Sequence, residues 1–303
     1  MEDASARHTI LVTGAAGPAG RTLGTQLARR ADAARRRVVG VDLSPVPLPG
    51  FDTVEKVPAA VDPAYDAATI ELLVRHRPRL VVPTVSDELP RLAVLARAAG
   101  LGDAVVLSPP GPTAVADDKL LTMWALDRRG VAVPRHAPAD ALGSAAEALA
   151  WAGGPVVVKP RVSRGGRGVR VVEDPRDPGW SSLDASWIVQ EFAPGTEYSP
   201  QVYRSPADGA CVVVLLEKTG RKQGRVGNAT AVDRLPAGAV DDVARLAART
   251  AEALELVGPL DMDVRRLADG TPVVLEVNAR FGAVSAGAPE LLDSVLDEWP
   301  GRA

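Results

Sequence analysis

Apolar positions in the first hundred residues fall into short β-branched runs separated by stretches of helical period. Thr9–Thr13 (TILVT), Arg37–Asp42 (RVVGVD), Leu80–Pro83 (LVVP) and Val105–Leu107 are too short for helices and end at Gly, Pro, Asp or Ser, so they predict strands. Helical spacing covers Arg21–Arg30 and Leu89–Ala99, the second with Leu89, Leu92, Ala93 and Ala96 on one face. Strands alternating with helices predict a parallel, doubly wound, Rossmann-like sheet. SPPGPT (Ser108–Thr113) breaks the pattern and marks a domain boundary.

Beyond the break the pattern changes. Asp117 or Asp118 caps a helix with Leu120, Met123 and Trp124 at helical spacing. Strand signals then follow closely: Val156–Lys159, Val169–Val172, Trp187–Phe192, Tyr198–Tyr203, Val212–Lys218, Leu260–Arg265 and Pro272–Val277. One helical stripe, Val240–Glu255, interrupts them. Short turns between neighbouring strands predict antiparallel sheets, an α+β arrangement after the α/β beginning. The divisions expected are residues 1–113, 114–187 and 188–303.

Composition narrows the chemistry. The formal net charge is −3 and no basic tract stands apart from acids, which argues against a nucleic-acid groove. One cysteine, Cys211, excludes an intramolecular disulfide framework, and three scattered His give no Cys/His zinc site. No run approaches the length of a membrane span, and MEDASARHTILVTG lacks the marks of a secretory signal, so a cytoplasmic protein is expected. Of 35 Lys plus Arg only five are Lys, at 56, 119, 159, 218 and 222.

Four motifs carry candidate chemistry. GAAGPAG (Gly14, Gly17, Gly20) lies between a strand and a helix, and Asp42 ends the next strand, which approximates a dinucleotide fingerprint. A reductase of that type needs Tyr-x-x-x-Lys. Tyr65, Tyr198 and Tyr203 are followed four residues on by Thr69, Val202 and Ala207, so a tight turn without nicotinamide is the plainer reading. In VVVKPRVSRGGRGVRVV a strand delivers Lys159 and a loop with Gly165, Gly166, Arg167 and Gly168 can fold its N–H groups over phosphates. In WIVQEFAPGTEYSPQV, the strand end Gln190–Glu191–Phe192–Ala193 suits an adenine edge and Glu197 suits ribose hydroxyls. In LDMDVRRLADGTPVVLEVNARFG, Asp263 on one strand meets Glu276 and Asn278 on the next, a hard oxygen set that suits Mg²⁺, with Arg280 on the same side.

Taken in order, ILVTGAAGPAG, VVGVD, VVPTVSDEL, the Asp117–Asp118–Lys119 helix start, VVVKP with GGRG, QEF to GTE, and LEVNARFG resemble the ATP-grasp superfamily, nearest its carbamoyl-phosphate-synthase-large-subunit-like ligases. The resemblance runs nearly end to end. It implies a Rossmann-like leading domain that binds no nicotinamide but lines an acid pocket, then a small lobe and a large lobe that clasp ATP. By the same resemblance Lys119 and Lys159 hold phosphates, Gly165–Gly168 close over them, and Val157 and Leu275 wall the adenine. Gln190 stands where relatives often carry Glu, which weakens one adenine contact. Asp263, Glu276 and Asn278 then hold two Mg²⁺ ions, with Mn²⁺ as a substitute, and Lys159 and Arg280 act on the developing charge. Lys218, Lys222, Arg225 and Asn228 are expected near the γ-phosphate or the acid. The implied reaction joins an amino-acid-like carboxylate to an amine through an acylphosphate; a carbamoyl-phosphate-type kinase or carboxylase, and a nicotinamide-binding reductase, are the alternatives. Partners are ATP and small molecules, with a homodimer left open because only 21 residues follow Gly282.

Overall fold

The computed structural model describes residues 7–301. β1 (His8–Thr13), α1 (Pro18–Ala28), β2 (Arg36–Asp42), β3 (Thr53–Lys56), α2 (Tyr65–His76), β4 (Leu80–Val82) and α3 (Leu89–Ala98) build the leading domain, with a parallel sheet in the order β3-β2-β1-β4. Alternate residues of β1 serve opposite faces. Leu11 packs in one core with Val41 and Val81, whereas Ile10 and Val12 pack in another with Leu23, Leu27 and Val38. Burial on both faces is why this strand is apolar without alternation.

The fourth strand expected at Val105–Leu107 does not form. Only Val105 bridges to Val81, and the Leu107 N–H turns back to the Val105 carbonyl at 2.8 Å, bending the chain out of the sheet. The expected helix at Arg21–Arg30 starts earlier, because Pro18 takes its first turn, where a missing N–H costs nothing. β3 and α2 were not anticipated. At Gly14 (φ +58°) a Cβ would sit 2.6 Å from Val85 and 2.7 Å from Thr84, so the glycine admits the Thr84–Glu88 segment against the end of β1.

α4 (Pro110–Asp117) begins inside SPPGPT, and the line drawn at 113/114 passes through it. α5 (Lys119–Arg128) follows, capped by Asp118, which accepts from Leu120 N (2.9 Å) and Leu121 N (3.2 Å). β5 (His136–Pro138), α6 (Ala145–Ala152), β6 (Val156–Pro160), β7 (Arg170–Val172) and β8 (Trp187–Glu191) form the small lobe, an antiparallel sheet ordered β5-β8-β6-β7. Since β8 pairs between β5 and β6, that sheet extends through Glu191, past the line at 187/188.

The large lobe contains β9 (Glu197–Arg204), β10 (Cys211–Gln223), β11 (Val226–Arg234), α7 (Asp241–Ala253), β12 (Gly258–Arg266), β13 (Pro272–Asn278) and α8 (Glu290–Glu298), with sheet order β11-β10-β9-β12-β13. β10 runs on past Lys218 and pairs with β11, so residues 222–228 span the turn of a hairpin.

Core membership divides the molecule differently from the sequence. Leu11 and Val81 share a core with Val202, Leu260 and Met262, while Ile10 and Val12 share one with Leu291, Val295 and Trp299. The leading domain and large lobe therefore form one packed body. The small lobe has its own core of Val156, Val158, Val189, Ala148 and Trp180. Met262→Ala, at a fully buried position in the core that Leu11 and Val81 share with the large lobe, should cost about 2–5 kcal/mol in urea unfolding; a loss under about 0.5 kcal/mol would contradict this packing.

Candidate active site

The site lies where β6 and β8 of the small lobe face β12 and β13 of the large lobe. One cavity there is bounded by Val157, Lys159, Gly166, Gln190, Glu191, Phe192, Ala193, Glu197, Asp263, Leu275 and Glu276, which brings most of the expected residues together. Val157 on β6 and Leu275 on β13 supply opposing apolar walls. Phe192 was expected here, but the two cations on its ring were not: Arg225 lies 4.2 Å and Arg265 4.9 Å from the ring centre.

At the hinge, Glu191 N–H bonds to Arg135 O (2.8 Å) and Phe192 N–H to Pro155 O (3.1 Å). Those two donors are committed to the fold; the Ala193 N–H takes no part in these pairings. Gln190 is buried, and its side-chain Nε2 has no acceptor among the described residues. An orphaned buried donor on the wall of a flat apolar slot fits a heteroaromatic ring with acceptor nitrogens, as an adenine has.

Lys159 leaves β6 with its ammonium 2.8 Å from the Leu275 carbonyl. Burial pulls its pKa down to about 8, and nearby Lys119 adds to that, against the attraction of Glu276. Lys119 opens α5 and reaches Glu276 Oε1 at 3.2 Å and the Ser163 carbonyl at 2.9 Å. Its own N–H bonds to Arg161 O, and the Arg161 guanidinium grips Asp118 (2.6 Å). The start of α5 is thus docked on the first residues of the glycine loop. In that loop Gly165, Gly166 and Gly168 all have positive φ (68°, 70° and 77°). Gly166 lines the cavity, whereas Gly165, Arg167 and Gly168 are exposed beyond it.

The lowered Lys159 value has two consequences of opposite sign. Between about 8 and 10.5 the unfolded chain holds a proton that the folded chain lacks, so this residue makes stability rise with pH across that window. Across the same window the cavity loses its ammonium. Binding of a nonhydrolysable ATP analogue should therefore weaken above about pH 8, and calorimetric titration at pH 7 and 9 checks it; equal affinities would contradict the assignment.

Asp263 and Glu276 are cross-strand partners, as are Asp261 and Asn278, so four oxygen-bearing side chains share one face of β12–β13. Asp263 is pushed up to about 6, mainly by burial, with Glu197, Asp261 and Glu276 adding to it against Lys218. Burial also works against Glu276, but Lys119 and Lys159 hold it below the usual carboxylate range. Asn278, on the same face, is engaged by its neighbours: its Oδ1 accepts from Arg280 Nη2 at 2.9 Å and from Ser86 Oγ at 3.5 Å. Among the described residues no three His, Cys, Asp or Glu converge as a metal cage. The expected set is two carboxylates and an amide, and the crowded Asp263 carboxyl, with its raised pKa, beside the charged Glu276 makes oxygen donors that a hard divalent cation satisfies.

Glu197 differs from its expected ribose role in its present company. Lys218 Nζ at 2.9 Å, Arg221 Nε at 2.6 Å and Arg265 Nη1 at 3.8 Å surround it. Burial opposes its charge, yet Lys218 and Arg221 keep its pKa low. Lys218 also touches Asp263 at 2.6 Å, so it bridges the expected ribose acid and the expected metal acid. Arg225 pairs with Glu173 (2.6 Å) beside Phe192 of the hinge. The side chains of Lys222 and Asn228 lie outside the described residues.

Arg280 faces a second, larger cavity of about 450 Å³ between the leading domain and the site. It is clamped by Asp261 Oδ2 (3.1 Å), Ser86 Oγ (3.2 Å) and Asn278. Gly14, Gly17 and Asp42 of the first motif line this cavity, as does Arg164 of the glycine loop, whose Nε lies 2.8 Å from Asp87 Oδ2. Asp87 and buried Glu88 sit in VSDE, a segment that offered composition but no periodic signal.

The chain is similar in sequence and in fold to known proteins. A carbamoyl phosphate synthase large chain from Rubrobacter xylanophilus is 27% identical over 216 residues, covering 64% of this chain; the match spans 20% of that protein's length. An L-amino acid ligase from Bacillus licheniformis superposes with TM-score 0.73 at 19% identity, covering 97% of this chain and 72% of that one. A biotin carboxylase from Campylobacter jejuni superposes with TM-score 0.74 at 15% identity, covering 100% and 73%. Residues 116–284, more than half the chain, match the ATP-grasp domain model, and the chain belongs to the ATP-grasp family.

Proposed function

We propose that this protein is an ATP- and Mg²⁺-dependent ligase that joins a small carboxylic acid to an amine through an acylphosphate. The observation that carries the reading is the adjacency of two cavities. One gathers Lys159, Glu276, Asp263 and the Gln190–Ala193 hinge; the other opens at Arg280, and Asn278 and Ser86 connect them. An acid bound at Arg280 would stand beside the phosphate end of a nucleotide held at the hinge.

In the first step a carboxylate oxygen bonds to the γ-phosphorus and the bond to the β–γ bridging oxygen breaks, giving acylphosphate and ADP. The amine nitrogen then bonds to the acyl carbon, phosphate leaves, and the nitrogen loses a proton. Lys119 and Lys159 neutralise charge on the phosphates, and Arg280 steadies the acid and its developing charge. Asp263, Glu276 and Asn278 would hold magnesium, which when bound screens the phosphate oxygens from the incoming carboxylate. Water must be kept from the acylphosphate. The Arg164–Asp87 pair supports that role, because it ties the glycine loop to the rim of the acid cavity.

A bicarbonate-activating enzyme, as the name of the biotin carboxylase neighbour would suggest, is less well supported. A cavity of about 450 Å³ exceeds what a four-heavy-atom anion needs. The reading is tested by a phosphate-release screen of acids paired with amines, with the amide confirmed by mass. Phosphate release that requires both partners is expected; an ATPase indifferent to every acid would contradict it. Arg164→Ala should raise phosphate release without amide several-fold, as an unlatched loop admits water; an unchanged ratio of amide to phosphate would remove the latch.

A further inference from the structure

The cavity beside Arg280 carries a charge pattern that binding a carboxylate does not explain. Asp42, Asp87, Glu88, Arg164 and Arg280 line it. Both cations are already matched, Arg164 by Asp87 at 2.8 Å and Arg280 by Asp261 at 3.1 Å. Asp42 and Glu88 have only neutral donors: Ala16 N–H at 2.9 Å and Ser44 N–H at 3.4 Å for Asp42, and the hydroxyls of Thr13 and Tyr65 for Glu88. Among the described residues neither forms a salt bridge. The leading-domain side of the cavity is therefore left with surplus negative charge, and Glu88 is 4% exposed, a built feature and not a solvated rim. Burial pushes the Glu88 carboxyl up to about 7, against its hydrogen bonds and the attraction of Arg164, a poised acid that a further cation draws into its charged form. Leu43 and Val61, on the same lining, are 52% and 84% exposed, apolar surface without a cover.

We infer that the acid taken by this cavity is a zwitterion, an amino acid with an apolar side chain. Its carboxylate lies at Arg280, its ammonium at the Asp42–Glu88 side, and its side chain covers Leu43 and Val61. This rests on the ligase reading and names the substrate class for it. It also gives work to Asp42, which sequence reasoning could place only in a nicotinamide fingerprint that the family does not use.

The experiment is calorimetric titration of the full-length protein with L-leucine, L-methionine and L-phenylalanine, each against the same acid lacking its amino group. At least one amino acid should bind about tenfold or more tightly than its des-amino partner. Asp42→Asn and Glu88→Gln should each reduce that ratio, and Asp42→Asn, on a more exposed side chain, guards against a Glu88 variant that fails to fold. Equal or tighter binding of the des-amino acids, a ratio that survives in Asp42→Asn, or no binding of any amino acid would overturn the inference. A parallel titration with a nonhydrolysable ATP analogue and Mg²⁺ reports on the ligase reading separately, since nucleotide can bind whatever the acid cavity prefers.

Discussion

Replacing Lys159 by Ala should lower ATP-dependent turnover by about 10²–10³-fold or more, the scale of losing one preorganised charge from a phosphoryl-transfer site. The residue is nearly buried, anchored on the Leu275 carbonyl, and surrounded by Glu276, Lys119 and Asp263. Its strand is set by Val156 and Val158, which remain in the small-lobe core, so the variant should fold. Lys159→Arg should not restore activity. A guanidinium fork is bulkier than an ammonium and does not fit a position already within 2.8 Å of a backbone carbonyl. ADP release by the Ala variant at the native rate would sink the assignment.

Glu276→Gln should raise the Mg²⁺ concentration needed for half-maximal activity by about tenfold or more, because it removes one of two carboxylates from the expected metal set. A second consequence separates this from general damage. Glu276 supports the charged form of Lys159, so its loss should move the alkaline limit of nucleotide binding to a pH lower than about 8. The variant also leaves the Lys119 ammonium without its 3.2 Å partner. An unaltered magnesium titration together with an unmoved pH edge would refute the metal role.

Much of this site was legible in the sequence because its chemistry is carried by local motifs on regular elements. Lys159 follows three valines on a strand, and Glu276 and Asn278 are spaced by two on another, so periodicity alone sets them on one side. Asp118 as a cap was readable for the same reason. What escaped were pairings between distant segments. Arg265 beneath Phe192, Arg164 against Asp87 and Tyr65 against Glu88 join residues far apart in the chain, and no spacing rule reaches that far. Asp261 could have been found, since it stands two residues before Asp263 on the same face, but acids on a strand more often face solvent. The strand misread at Val105–Leu107 failed through a single backbone turn, to which an apolar triplet is blind. The lobe boundaries shifted because a sheet is defined by pairing, and β8 pairs backward with β6 rather than forward with β9.

The scarcity of lysine also acquires a physical meaning. Lys119 and Lys159 flank Glu276, and Lys218 lies between Glu197 and Asp263, so three of the five lysines meet the same acid cluster. Arginines reach the cluster at Glu197 through Arg221 and Arg265, and otherwise stand around it: Arg225 at the hinge ring, Arg164 at the loop, Arg280 at the larger cavity. A compact ammonium can be displaced between carboxylates as phosphate and metal arrive, whereas a planar fork fixes orientation.

The most direct test of the central claim follows oxygen. An acid found active in the phosphate-release screen is labelled with ¹⁸O in its carboxylate and turned over with ATP, Mg²⁺ and its amine, and the released phosphate is weighed by mass spectrometry. Attack of the carboxylate on the γ-phosphate predicts one carboxylate oxygen in every phosphate formed with the amide. Unlabelled phosphate, with the label lost to water or kept in the product, would contradict an acylphosphate and with it the proposed use of this site.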